Sequence, residues 1–512
     1  MNDDITLDET VESWVLSKCQ DWRDHYESNY SEKHDEYYRL WRGIWAPEDQ
    51  MRKSERSRII SPALQQAVES SVAEIEEATF GRGKWFDIAD DIDDEDNSDV
   101  QYIRTKLTED FAKRGVKRDI AECLLNAAVF GNGIAEIVME EVKEQTPATQ
   151  PILDGQLTAV GVNIQDRTVV GMRPIMPKNF LIDPVAVNIK DALGCATDEF
   201  VSQHSVDILI EEGIYRDEEI TSAATQTEIE PDEDLAAFTE DKVRLTKYYG
   251  LVPRDLLEKA MKEDPDDDDI TEGDSYYVEA IIVIANEGTL LKAEENPYMM
   301  QDRPIVAFQW DITPGLFWGR GICEKGYNSQ KALDTEIRAR IDALALTVHP
   351  MMAIDATRLP RGHKPEIRPG KMLLTNGDPR EVLHPFNFGQ VSQITFAQAA
   401  ELQKMVQMAT GAVDSAGMAG SVNGEATAAG ISMSLGAIIK RQKRTLISFQ
   451  ESFLIPFVEK AAWRYMQFDP ERYPAKDYKF NVTSSLGIMA REYEVTQLVQ
   501  LSMQTLQRNN GL

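Results

Sequence analysis

The second half of the chain alternates long helical stretches with turn-rich segments, and this order restricts the fold more than any other feature. Apolar residues three, four or seven apart predict a helix from about Ile322 to Val348, which ends at His349-Pro350. The same periodicity predicts a second helix from about Gln393 to Thr410 and a long helix from about Glu425 to Phe468, bent at Pro456. At 1.5 Å per residue the long helix reaches roughly 65 Å if it is continuous.

Two turn-rich segments separate these helices. Residues 351–391 hold short apolar runs between turns such as Pro369-Gly370 and Asn376-Gly377, and they predict a small β-rich module. Residues 411–424 hold four glycines among small and polar residues, which predicts a flexible loop.

The first half mixes helices with strands. Aromatic residues at helical spacing predict packing helices in residues 1–50, and Ser61-Pro62 predicts a helix start with the serine as N-cap. A further helix is predicted from about Val100 to Phe130, after an acidic connector from Asp87 to Asp99. Short strands are predicted at Ile134–Val138, Thr168–Val170, Val243–Leu251, Tyr276–Ile284 and Thr289–Lys292. The predicted fold class is therefore α+β, mainly helical.

The charge balance limits how the chain can meet nucleic acid. Lys and Arg number 54 against 87 Asp and Glu, so the formal net charge is −33. Such a chain cannot grip DNA over a broad surface by neutralising phosphates. Solubility is one explanation of the acidity, and a surface that avoids adhering to DNA is another.

Sequence signatures of catalysis and of cofactor binding are missing. The chain has no phosphate-binding GxxxxGK[ST] loop, no dinucleotide-binding glycine pattern, no HExxH and no nucleophile elbow. The acidic run Asp266 to Asp269 lacks the alternating ligands and the bidentate Glu of a calcium loop. We expect no enzyme, no cofactor and no metal. The sequence contains no run of 18 apolar residues, so no membrane span is predicted. The four cysteines are far apart, which predicts reduced, buried thiols.

The order helix, β-rich module, helix, Gly-rich loop and long helix resembles the core of the portal proteins of tailed bacteriophages. The matching segments are Phe317-Trp318-Gly319-Arg320-Gly321 before the first helix, Pro350 after it, the Pro369-Gly370 turn, and Glu425 to Gly430 at the start of the long helix. Arg58 to Pro62 and the strands at 243–292 resemble the wing of that family. The resemblance covers about residues 10–470.

The resemblance implies a division of the chain and an assembly. It assigns 1–320 to a wing, 321–349 and 392–410 to two stem helices, 350–391 to a clip, 411–424 to a tunnel loop, 425–469 to a long kinked wing helix and 470–512 to a short crown. It implies a ring, twelve subunits in the family picture, at one vertex of the virion capsid. Double-stranded DNA would pass through the ring, the clip would contact the terminase motor and then the tail adaptor, and assembly would take place in the host cytoplasm.

Candidate site residues follow from these segments. The tunnel-loop candidates are Asp414, Ser415, Met418, Ser421 and Asn423. On the first stem helix, Arg338 and Arg340 are candidates for sparse phosphate contacts in the channel. Pairing within the helix, with Asp334, Asp342 and Glu336, is the alternative.

Two groups of basic residues stand out in an acidic chain. The densest group comprises Lys440, Arg441, Lys443 and Arg444. Pairing with a neighbouring subunit and a solvated helix face are the two main explanations, and contact with DNA is the third. Docking of the motor or adaptor, or else solubility, accounts for the clip residues Arg358, Arg361, Lys364, Arg368, Lys371 and Arg380. Another virion connector and a nuclease-like enzyme are the alternative functions.

Overall fold

The computed structural model of the protein describes residues 10–51, 56–81, 85–89, 98–151, 158–218, 220, 242–261, 276–286, 288–348, 352–354, 378, 383–385, 393–411, 443–474 and 478–481. Helices and strands are mixed throughout these residues, and the fold class is α+β as predicted.

The N-terminal segment is helical, as the aromatic spacing predicts. α1 (Val11–Tyr26) and α2 (Glu32–Arg42) are joined by a π turn (Glu27–Ser31), and a short α3 (Pro47–Gln50) follows. Trp22, Tyr26 and Tyr37 are buried, so this aromatic stripe is a packing surface.

The predicted single helix from Val100 to Phe130 is two helices. α4 (Ala63–Phe80) precedes them, and α5 (Ser98–Arg114) and α6 (Val116–Phe130) meet at Gly115. Gly115 has a φ of +77°, a left-handed conformation that interrupts a right-handed helix and that glycine adopts without strain.

A long hairpin replaces the short strands predicted after Ile134. β2 (Asn132–Pro151) pairs antiparallel with β3 (Thr158–Ile175) over its whole length, and β9 (Ile305–Gln309) pairs with the first five residues of β2. Beyond Ile137, whose N–H donates to the Pro304 carbonyl, β3 is the only described strand that pairs with β2. The prolines of β2 are therefore tolerated, because a missing N–H can point to the free edge.

A second, antiparallel sheet has the order β4-β5-β6-β7-β8. Its strands are β4 (Phe180–Ile182), β5 (Gly194–Ser202), β6 (Lys242–Pro253), β7 (Tyr277–Ala285) and β8 (Thr289–Glu295). The strands predicted near 243, 276 and 289 are confirmed. Two helices were not predicted, α7 (Gln203–Glu211) and α8 (Arg254–Met261).

The helices of the second half have the predicted bounds wherever they are described. α9 (Ile322–Val348) and α10 (Gln393–Thr410) agree with the sequence, and β10 (Met352–Ile354) pairs antiparallel with β11 (Leu383–Pro385) between them. The described part of the long helix comprises a helical turn region at 443–449, a π turn (Gln450–Leu454) and α11 (Ile455–Phe468). Pro456 lies at the start of α11, directly after this change of helix type.

One large core unites α4, α5, α6, the hairpin and α11. It also includes Tyr473, Tyr478 and Phe480 from the C-terminal region. β12 (Lys479–Asn481) pairs with β1 (Asp87–Ala89), so the predicted acidic connector begins with a strand. The four cysteines are buried and free.

Candidate functional site

The helices α9 and α10 form an antiparallel hairpin. Leu333 of α9 packs with Ala399 and Val406 of α10 in a small core that also includes Ala63 of α4. The β10–β11 ladder lies at one end of the hairpin, and Gly326 lies beside Thr410 at the other. A Cβ atom at Gly326 would lie 2.9 Å from Thr410 Cγ2 and 2.6 Å from Leu64 Cδ1, so a larger residue there would require these side chains to shift.

One face of α9 carries polar residues exactly four positions apart, and these bind an extended segment that we call the strap (residues 56–62). The four residues are Gln330, Asp334, Arg338 and Asp342. Each forms a hydrogen bond with the backbone of the strap. The pairs are Ser57 N–H to Asp342 Oδ1 (2.7 Å), Arg338 Nε to the Ile59 carbonyl (2.7 Å), Ser61 N–H to Asp334 Oδ1 (2.8 Å) and Gln330 Nε2 to the Ser61 carbonyl (2.8 Å).

The spacing of these contacts follows from the geometry of the two segments. Four residues of an α-helix rise by about 6 Å, and two residues of an extended chain span about 6.6 Å. Alternate strap residues at 57, 59 and 61 therefore meet successive polar side chains of α9. The strap runs in the direction opposite to α9, and its backbone groups are satisfied by side chains instead of by a neighbouring strand.

The strap also determines how α4 begins. The predicted serine N-cap is wrong, because Pro62 occupies the cap position and no side chain of the segment itself caps the helix. Instead, the Leu64 amide donates to Gln330 Oε1 at 3.2 Å, across 266 positions of sequence. The first turn of α4 is therefore anchored to α9, which satisfies an amide that would otherwise lack a partner.

The same stripe decides where Arg338 lies. Its Nη1 forms an ion pair with Asp49 Oδ1 at 2.8 Å, and its side chain is only 12% exposed. Asp334 and Asp342, its expected partners within the helix, bond instead to the strap. A DNA phosphate would have to displace Asp49 and the Ile59 carbonyl. Arg340, on the same helix, is half-buried.

The arrangement buries Asp334, which disfavours the ionised form of its carboxyl group. The carboxyl group is buried, and burial raises its pKa, while the hydrogen bonds from Ser61 and Gln330 act in the opposite direction. Two other cationic side chains of α9 pair with residues outside the helix, Lys325 with Asp311 and Lys331 with Glu36. The charges of this helix are thus largely directed into the protomer.

The exposed face of α9 is uncharged. Its exposed positions are Asn328, Ala332, Thr335, Ala339, Ile341, Ala343, Leu344, Ala345 and Thr347. The hydroxyl groups of Thr335 and Thr347 donate to the carbonyls of Lys331 and Ala343, four residues earlier. This face therefore presents small polar and apolar side chains without charge, which have little capacity to hold a phosphate.

The other predicted site residues fall into two groups. Lys443 and Arg444 are exposed at the start of the 443–468 helical segment. Outside the described residues lie Lys440 and Arg441, the tunnel-loop candidates Asp414, Ser415, Met418, Ser421 and Asn423, and the clip candidates Arg358, Arg361, Lys364, Arg368, Lys371 and Arg380. Asp266–Asp269 also lies outside them. Within the described ranges, no group of three or more His, Cys, Asp or Glu could hold a metal ion.

Sequence reasoning missed the strap contacts. The repeat of Asp334, Arg338 and Asp342 was visible, but charge pairing within the helix is the ordinary explanation of such spacing. The signal that could have distinguished the two is Gln330, which extends the stripe by one more step of four without adding a charge. Among the described helices, none is long and apolar enough to cross a membrane.

Comparison with known families identifies the family of the chain. The family described as Phage SU10 portal protein matches residues 92–467, which is well over half of the chain and includes α9, α10 and nearly all of α11. The chain is therefore a tailed-phage portal protein, a class of virion head-to-tail connector. Within that class it belongs to the phage SU10 portal protein family. It matches none of the curated proteins.

Proposed function

We propose that twelve copies of the protein form a ring at one vertex of the capsid, and that double-stranded DNA passes through this ring. In this proposal the channel serves packaging, retention and ejection of the genome. The observation that carries it is the family match over residues 92–467, which spans the α9–α10 hairpin. The portal family implies a ring in the virion capsid with terminase and tail partners. Assembly of the ring in the host cytoplasm is part of the proposal.

The charge pattern supports a channel along which DNA slides. Each neutralised phosphate adds affinity that slows movement, so a long translocation requires few cationic contacts. A ring of subunits with a net charge of −33 repels DNA, and the exposed face of α9 carries no charge. We propose that this face lines the channel within the stem. Arg338 and Arg340 stay candidates for sparse contacts, and Arg338 would have to leave Asp49 to act.

The loop at 411–424 is proposed to project into the channel. Asp414 is its single charge, and its other candidate residues are Ser415, Met418, Ser421 and Asn423. Glycine gives such a loop mobility, and the absence of basic residues prevents it from trapping DNA.

The segment 350–391 is proposed to be the clip, which docks the terminase motor and later the tail adaptor. Its basic residues are the docking candidates, because complementary charge guides association of proteins. They are Arg358, Arg361, Lys364, Arg368, Lys371 and Arg380. Residues 1–320 are the proposed wing, residues 425–469 the long wing helix, and residues 470–512 the proposed crown. The capsid protein is a further proposed partner of the ring.

Electron microscopy of the purified protein tests the ring directly. Negative-stain images are expected to show particles with a central hole and twelve-fold symmetry. A protomer without a central hole under any condition would refute the proposal. The family is structural and not enzymatic, so incubation of DNA with the protein and a divalent metal is expected to leave the DNA intact. Metal-dependent cleavage would favour the nuclease alternative.

A further inference from the structure

A groove runs along the helical segment that contains α11, on the side of the 296–303 loop. It consists of two adjoining cavities of about 810 and 460 Å³, which share Ile312, Ser448, Glu451 and Ser452. Lys443, Arg444 and Ile447 line one end, and Met300, Lys190 and Trp463 line the other cavity. The groove lies in the wing and is separate from the α9–α10 hairpin.

Large apolar side chains are exposed in this groove. Ile312 is 48% exposed, Ile447 39% and Met300 53%. Apolar residues exposed singly are common on protein surfaces, but a concave site that combines several of them with arginine and lysine has the composition of an interface centre and its rim.

A buried polar network holds one wall of the groove in a fixed shape. Arg464, whose side chain is 1% exposed, forms a bidentate ion pair with Asp302 at 2.8 and 2.9 Å and lies 3.3 Å from the centre of the Tyr298 ring. Lys460 donates to the carbonyls of Arg303 (2.5 Å) and Ile305 (2.9 Å). A buried cation that loses its partners is strongly destabilising, so conformations of the loop that break these contacts are disfavoured.

The loop itself is strained and pinned. Gln301 has a φ of +49°, which is unusual for a residue other than glycine. Gln467 accepts from the Met299 amide at 2.9 Å and donates to the Pro297 carbonyl at 2.7 Å. Met299 and Met300 are therefore exposed on a rigid support, and a preformed wall lowers the entropy cost of docking.

The charge of the chain indicates what docks there. Two copies with a net charge of −33 repel each other, so an assembly needs places where bases of one copy meet carboxylates of the next. Lys443 and Arg444 are exposed at one end of the groove. Carboxylate-rich surfaces are available on this chain, since α4 contains four glutamates and neither Lys nor Arg.

We infer that this groove receives a second copy of the chain, and that it is one of the two different surfaces that a ring subunit needs. The inference rests on the proposed ring and names the place on the wing where neighbouring subunits bind. Ile447 and Ile312 form its apolar centre, Met300 its rigid wall, and Lys443 and Arg444 its charged end.

A matched pair of substitutions tests the apolar centre. Ile447→Asp places a charge in the groove, and Ile208→Asp is the control, because Ile208 is a helical isoleucine with 40% exposure outside the groove. For Ile447→Asp we expect the concentration for half-assembly, measured by sedimentation, to rise by about 30-fold or more, as for loss of an interface hot spot. The control should assemble as the unmodified chain does. Equal assembly of all three, or equal losses in both variants, would overturn the inference.

Cross-linking identifies the occupant and does not depend on whether Ile447→Asp folds. All four native cysteines are buried, so Ile447→Cys can be labelled selectively with a thiol-reactive photo-crosslinker. We expect cross-links from position 447 to a second copy in purified rings. Cross-links that stay within one chain, or that require added capsid protein, would overturn the inference while the ring itself stands. Absence of rings from the unmodified chain would overturn the proposed function as well.

Discussion

The contact between the strap and α9 can be tested at one buried carboxylate. Asp334 accepts hydrogen bonds from the Ser61 amide at 2.8 Å and from Gln330 Nε2 at 2.9 Å. Asp334→Ala removes a charged acceptor and leaves a part-buried amide without its partner, which costs about 2 kcal/mol. Because the strap can open locally, we expect this loss to appear as local opening and not as global unfolding.

Native-state hydrogen exchange measures that opening. A cost of about 2 kcal/mol corresponds to about 30-fold faster exchange for the peptide that covers residues 57–64. Peptides from the five-stranded sheet serve as the internal reference, since they do not contact the strap.

Asp334→Asn is the matched variant. It keeps an oxygen acceptor and removes the charge. Because burial raises the pKa of Asp334, a neutral side chain avoids the desolvation cost of the buried carboxylate, which offsets its weaker hydrogen bonds. We expect exchange in Asp334→Asn to stay close to that of the unmodified chain. Unchanged exchange in Asp334→Ala, or equal acceleration in both variants, would refute the assignment of the strap.

Three further predictions concern assembly, the channel and pH. Replacement of Lys440, Arg441, Lys443 and Arg444 by Glu is expected to weaken the rings observed by native mass spectrometry. Unchanged rings would contradict this prediction. Deletion of 413–422 is expected to leave rings intact but to impair packaging or retention of DNA, and normal packaging would refute the tunnel-loop assignment. Burial lowers the pKa of His34 to about 4, below its value when unfolded, so the unfolded chain binds the proton first as pH falls. Stability measured by denaturant should therefore decrease between about pH 6.5 and 4, and His34→Gln should show a shallower decrease.

Local patterns predicted the helices of the second half. The predicted bounds are correct for Ile322–Val348 and Gln393–Thr410. The signals that predict a helix, its periodicity and stop signals such as His349-Pro350, lie within the helix or directly beside it. The strand near 243 was predicted for the same reason, since alternation and bounding turns lie within a few residues of one another.

Where the decisive partner is distant in sequence, local patterns were insufficient. The strand at 87–89 depends on β12, almost 400 positions away, and its acidic surroundings suggested only a connector. The length of the β2–β3 hairpin depends on pairing along its whole register, which the short apolar runs near 134 and 168 do not reveal. Gly115 was overlooked because glycine inside a helical pattern is often tolerated.

The sequence by itself determined the order of the elements, the bounds of α9 and α10, the acidity of the chain and, through the order of elements, the resemblance to portal proteins. Only the tertiary structure decided which partner each polar group on α9 takes. A repeat of four places side chains on one face of a helix, but it does not specify what lies against that face. That face meets the strap because two residues of an extended backbone advance nearly as far as four residues of a helix. The sequence of either segment alone does not contain this match.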